Sequence, residues 1–196
     1  MGLALTKIPN ASDASLSFAA NFVAPDLAPL SQQELTRISP LTADSAAELW
    51  DNLICANPVK SSHPHSHTRL LPTDHWLNER LNPLENNIAC GPSWTETDNE
   101  RINGSLDGAK RFVAFLVAQL PWDLGRDVIF LTARDRAITC TLSDFIEHWP
   151  RFLNLYDEFP LLLSLRSETI GSFPYGGHTL VGARPLAAVE SNSQIQ

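Results

Sequence analysis

The chain has 196 residues and a formal net charge of −8, with 43% apolar and 18% charged residues. That length and balance suit one domain with a well-filled core and argue against wholesale disorder. No window approaches the ~18 consecutive apolar residues a membrane helix needs, and no cluster of Lys and Arg offers a track for a nucleic-acid backbone, so neither partner is expected.

In chain order, residues 1–30 are rich in Ala, Ser, Asn and Pro, with little periodicity. They read as an extended N-terminal arm. Met1-Gly2 with Thr6 fits the loose N-myristoylation pattern, which is too short to separate from chance. No basic segment followed by a long apolar core precedes the domain, so a secretory signal is not expected. A short helix starts at Ser31-Gln32-Gln33-Glu34-Leu35, and Pro40 ends it. Thr42 caps a firmer helix whose Ala46, Leu49, Trp50, Leu53 and Ile54 recur at spacings of three and four, and Asn57-Pro58 stops it. Residues 58–72 form a loop. Thr73 is expected to cap a short helix carrying Trp76, Leu77 and Leu81, which Pro83 ends. Leu84 to Gly104 is polar and turn-rich. A strong helix spans about Ser105 to Leu120, with a stripe of Phe112, Phe115, Leu116, Gln119 and Leu120, and Pro121 breaks it.

The last third reads β-turn-β-α-β-β-β. The apolar run Val128-Ile129-Phe130-Leu131 leads into a charged turn, Ala133-Arg134-Asp135-Arg136. Ala137 to Thr141 is a second β-prone run. A capped amphipathic helix begins at Ser143, with Phe145, Trp149 and Phe152 at i, i+4 and i+7, a core stripe. Phe159 to Leu165 is a third apolar run. Gly176-Gly177 supplies a tight hairpin, and the closing strand ends Val181-Gly182-Ala183-Arg184. Arg184 is expected to pair with Asp127, Asp144 or Asp157. Short connections make neighbouring strands antiparallel. The predicted fold is α+β: a single domain over residues 31–185, with an antiparallel sheet of about four to five strands from the C-terminal half. Helices from both halves flank it, with those at 105–120 and 143–155 as the candidates to cover one face, and a small polar, flexible tail occupies 186–196.

Candidate chemistry is sparse. His63, His65 and His67 alternate, and His75 follows closely. In an extended segment alternate side chains share a side, so these imidazoles form the alternative reading of a metal-dependent hydrolase site. Pro64 and the Ser neighbours favour a solvated loop instead. No nucleophile elbow, dinucleotide-binding Gly motif or phosphate-gripping Gly loop is present, so no catalytic residue, cofactor or metal is assigned. His148 is expected to face water or a helix-end carbonyl, and Glu147 to be solvated. Cys55, Cys90 and Cys140 are too few and too scattered for a disulfide framework or a zinc knuckle, which points to a reducing cytoplasm.

Acids are unevenly spread. Residues 1–100 hold twelve against five Lys and Arg. The densest group, Glu96, Asp98 and Glu100 beside Trp94, falls in the turn-rich stretch. Loops held by a rigid scaffold often carry function, so these four are the expected contacts for a basic protein partner.

The order of Val128-Ile129-Phe130-Leu131, Phe145-Ile146-Glu147-His148-Trp149-Pro150-Arg151-Phe152, Gly171-Ser172 and Val181-Gly182-Ala183-Arg184 resembles small bacterial proteins encoded beside polymorphic or contact-delivered toxins. Many of those look like immunity proteins. The resemblance covers the last third of the chain, and its motif is mostly core and turn. It implies a non-enzymatic cytoplasmic inhibitor that masks the active site of a cognate, basic toxin domain. An adaptor or structural subunit of a larger assembly is a further alternative. Oligomeric state is not legible.

Overall fold

The computed structural model describes residues 30–63, 67–73, 75–77, 94–97, 106–153, 155, 159–173 and 179–183. The predicted arm, the Gly176-Gly177 hairpin, Arg184 and the tail lie outside the described residues.

The chain folds as one α+β domain. Its helices are α1 (Gln32–Arg37), α2 (Ala43–Leu53), α3 (His67–Leu70), α4 (Leu106–Gln119) and α5 (Leu142–Leu153). Its strands are β1 (Ser39–Pro40), β2 (Trp94–Thr97), β3 (Asp127–Ala133), β4 (Arg136–Thr141), β5 (Leu161–Leu163), β6 (Thr169–Ser172) and β7 (Thr179–Ala183). All seven form one antiparallel sheet in the order β1-β4-β3-β5-β6-β7-β2. The five central strands come from the C-terminal half, as predicted. Both edges come from the N-terminal half and were not. β1 is only two residues long and contains Pro40, which lacks a ladder donor and belongs at an edge. It is held by Leu41 N–H to the Ala137 carbonyl at 2.9 Å and by the Thr139 hydroxyl to the Ser39 carbonyl at 3.2 Å. β2 pairs along the whole of β7, Trp94 with Gly182 through Thr97 with Thr179. The stretch read as a turn-rich loop is therefore a strand at Trp94–Thr97. Trp and Thr favour strands, but a run of four residues between polar, turn-rich flanks shows no partner in sequence; the ladder with β7 supplies it.

Helices from both halves flank the sheet, as predicted, and they cover both of its faces. Alternate residues of β3 go to opposite cores. Val128 and Phe130 join α4 and α5, whereas Ile129 and Leu131 join α2 and the 70–77 segment. Leu162 and its neighbours Leu161 and Leu163 divide the same way. Burial on both faces is why these strands read as unbroken apolar runs rather than alternating ones. β4 and β5 flank β3, and α5 carries the chain over β3 from one to the other.

Local signals set the helix ends. Ser31 and Glu34 form a capping box, with Ser31 N–H to Glu34 Oε2 at 2.6 Å and Glu34 N–H to Ser31 Oγ at 3.3 Å. Thr42 caps α2 through Ser45 N–H at 3.3 Å. α5 starts one residue before Ser143 and is capped by Thr141, whose hydroxyl accepts from Asp144 N–H at 3.1 Å. Of the helix expected after Thr73, residues 73 and 75–77 lie in turn and irregular backbone, and the remainder, with Leu81 and Pro83, lies outside the described residues. His75 pins this segment: Nε2 lies 2.9 Å from the Ile54 carbonyl at the end of α2, and Nδ1 accepts Leu77 N–H at 3.1 Å. The ring thereby satisfies a helix-end carbonyl and seats the fully buried Leu77. In α4, Phe112, Leu116 and Leu120 are buried and Phe115 partly so, but Gln119 is exposed.

Candidate anion-binding cleft

Three elements meet at one end of the sheet. Asp127 at the start of β3 pairs with Thr141 at the end of β4, and Ile129 pairs with Leu163 at the end of β5. The turn 123–126 closes on itself through Arg126 N–H to the Asp123 carbonyl at 3.0 Å. It is tied to the first turn of α5 by Leu142 N–H to the Arg126 carbonyl and Ser143 N–H to the Leu124 carbonyl, each 2.9 Å. A second turn, Ser164 to Ser167, follows β5. The end of α1 closes the third side.

These pieces enclose a cleft of about 680 Å3, within the range of small-molecule sites. Arg37 of α1, Arg126 of the first turn and Arg166 of the second all line it, together with the exposed Asp123, Asp127 and Leu165. Three cations from three separate elements therefore face one cavity in a chain of net charge −8. Arg37 is steered by Asp144, Nε to Oδ1 at 2.9 Å. Arg126 has a loose ion contact with Asp123 at 3.5 Å, and its buried Nε makes no hydrogen bond among the described residues. The lining hydroxyls are largely used internally, Thr36 to the Gln33 carbonyl and Thr141 to Asp144. The guanidinium groups are thus the main donors a ligand would meet.

Asp144 organises the wall. Its residue is buried, and burial alone would raise its pKa. Bonds from the Thr141 hydroxyl at 2.7 Å and backbone at 3.3 Å, with Arg37 beyond, instead hold it below the ordinary carboxylate range. Asp144, offered as a partner for Arg184, is committed to Arg37. Cys140, the thiol in the lining, is buried and its pKa is pushed up, first by desolvation and then by Asp144 and Asp127. It is a core residue rather than a poised nucleophile.

The residues singled out in the sequence are scattered. His75 uses both ring nitrogens within the fold. The His63 ring lies against Arg69 Nη1 at 2.9 Å and Ser62 Oγ at 3.0 Å. His65 lies outside the described residues, and of His67 only the helical backbone is described. Trp94 and Glu96 fall on β2, at the edge farthest from β1, while Asp98 and Glu100 lie outside the described residues. His148, expected to face water or a helix-end carbonyl, has its Nε2 buried 3.0 Å from Glu34 Oε1 across α1 and α5. Among the described residues no helix is long and apolar enough to cross a membrane.

A family model described as "Protein of unknown function (DUF2947)" matches residues 17–182. The chain belongs to that family. No curated protein and no solved structure matches it. The match runs through both halves, so the family pattern spans both edges of the sheet and the cleft.

Proposed function

We propose that the protein is a non-enzymatic binding module whose cleft takes a small organic anion, a phosphate ester or carboxylate. The convergence of Arg37, Arg126 and Arg166 on one cavity carries this reading. Guanidinium groups recognise planar or tetrahedral oxyanions with directed, charge-assisted bonds, and Leu165 offers a surface for the apolar part of such a molecule. The raised pKa of buried Cys140 favours binding over nucleophilic chemistry. Calorimetry and thermal shift against a panel of organic phosphates and di- and tricarboxylates test it. A hit should weaken about tenfold or more in Arg126→Gln, since a charge-assisted hydrogen bond contributes roughly 1.5–3 kcal/mol. Silence across the panel, or equal binding by Arg126→Gln and Arg166→Gln, would remove the cleft as a ligand site.

A second reading rests on the far edge of the sheet. Among the described residues β2 ends the strand order, and an edge strand can receive a strand from another chain. An immunity-type role would use that edge: a basic toxin domain would dock there, with Trp94, Glu96, Asp98 and Glu100 as contacts. Steering by acids should make association faster at low salt. Replacing the three acids with Ser should slow association to the product of the neighbouring gene; an unchanged rate at low salt sinks this reading.

A further inference from the structure

The sequence of α5 contains a helix breaker two residues after a histidine. Pro150 has no N–H to give the Ile146 carbonyl and crowds the preceding turn, and the backbone leaves helical geometry at His148, with φ −114° and ψ 15°. Successive residues on a regular helix point in different directions. The kink removes that restriction, and Glu147 and His148 converge on Glu34 of α1. One ligand atom from each of the three lies within 4.8 Å of the others. Glu34 is held in place by the capping box, which occupies Oε2 and leaves Oε1 turned to His148.

The contact between them is unusual. His148 Nε2 is buried, with less than 1 Å2 exposed, and is 3.0 Å from Glu34 Oε1. Yet the oxygen lies off the N–H line, and the nitrogen makes no hydrogen bond among the described residues. Around a zinc ion about 2.1 Å from each donor, two donors about 3 Å apart lie well off one another's bond axes. The bend that spoils a hydrogen bond is the bend that shared coordination requires.

We propose that Glu34, Glu147 and His148 form a binding site for a divalent transition cation of the zinc type, bridging α1 to α5. The imidazole selects against magnesium and calcium, and two carboxylates with one histidine suit zinc. Water completes the shell. The Glu147 side chain is exposed and free of core packing. The site stands independently of the cleft, although α1 also carries Arg37.

The test uses tag-free full-length protein in which His63, His65 and His67 are replaced by Ala, so that loop imidazoles cannot compete. Zinc chloride is titrated calorimetrically. One equivalent should bind and raise Tm. Glu147→Gln removes an exposed ligand without touching the core, and Glu34→Gln keeps the capping box, which accepts Gln. Each should weaken zinc at least tenfold. His148→Gln should abolish the site, and where that variant unfolds the other two remain decisive. Absence of stoichiometric heat, or zinc affinity unchanged in Glu147→Gln and Glu34→Gln, overturns the proposal.

Discussion

One face of the sheet is paved with rings and the other with aliphatic side chains. On the α4–α5 side, Phe130, Phe145 and Phe152 pack at centroid distances of 5.0 to 5.6 Å, and Phe173 joins Phe145 at 5.7 Å. On the other side, Ile129, Leu131, Leu161, Leu163, Ile170 and Leu180 meet α2, with Trp50 as the one large ring fully buried there among the described residues. The aromatic face is assembled almost wholly from residues after 105, the aliphatic face from strands of the C-terminal half and helices of the N-terminal half. The first is a local construction. The second closes only when distant parts of the chain meet, at a larger loop-closure cost.

The sharpest way to break the comparison is to remove one ring from each face. Phe130→Ala and Trp50→Ala should each cost about 3–5 kcal/mol, because both side chains are fully buried and leave large cavities. Urea denaturation measures both. If the two faces form one cooperative core, each variant should unfold in a single transition. A second transition confined to Trp50→Ala would show that the α2 layer can detach from a surviving aromatic half.

Trp149 sharpens the same contrast within one helix. It is half-buried against the aromatic core, and its ring is tilted against Phe112 of α4 at 4.7 Å. Trp149→Ala should therefore cost about 2 kcal/mol, less than Phe130→Ala, since part of the ring stays in water. Equal losses would show that the α4–α5 seam is as essential as the sheet contact.

The aromatic face was legible because its signals are short-range. The Phe145 and Phe152 spacing, the Phe112, Leu116 and Leu120 stripe, and the runs at β3 and β5 all lie where periodicity points. Trp149 packs against that core but is only partly buried, in a helix that leaves regular geometry at His148 ahead of Pro150. The edge strands were not legible, since Ser39–Pro40 and Trp94–Thr97 owe their strand character to β4 and β7 partners far away in sequence. The cleft was invisible for the same reason: Arg37, Arg126 and Arg166 are 40 to 129 residues apart and share no motif. The Glu34–His148 contact spans a comparable gap. The Ser31-x-x-Glu34 signature did announce the box that positions Glu34, although not what faces it.

Asp144 ties the aromatic face to α1, and its contribution is pH-dependent. The folded pKa is depressed, so the stabilisation is complete above the ordinary aspartate value of about 4 and fades as pH falls through the lower folded value. Asp144→Asn should cost about 1–2 kcal/mol at pH 7. That figure reflects lost hydrogen bonds to Thr141 and a pair with Arg37 discounted for that side chain's 43% exposure. The gap between variant and parent should narrow steadily as denaturation is measured from pH 5 down to pH 2.5. A gap independent of pH would mean that the cap, not the charge, carries the effect.

The smallest effect has the opposite sign and belongs to the aliphatic face. Ser172 pairs across the sheet with Leu161 and Leu180, both in that core. It is fully buried, and its hydroxyl has no hydrogen-bond partner among the described residues. A hydroxyl in this position has lost its water and gained nothing directed in return, which is unfavourable by roughly 1–3 kcal/mol on mutational scales. Ser172→Ala removes the hydroxyl and leaves a void smaller than a methyl group, whose packing loss offsets part of the gain. The expected result is a protein of equal stability or one up to about 1 kcal/mol more stable, read as a rise in the urea midpoint with unchanged slope. A gain would show that burying this hydroxyl without a partner costs more than its packing contributes. A loss above about 1 kcal/mol would place a partner on that hydroxyl in solution.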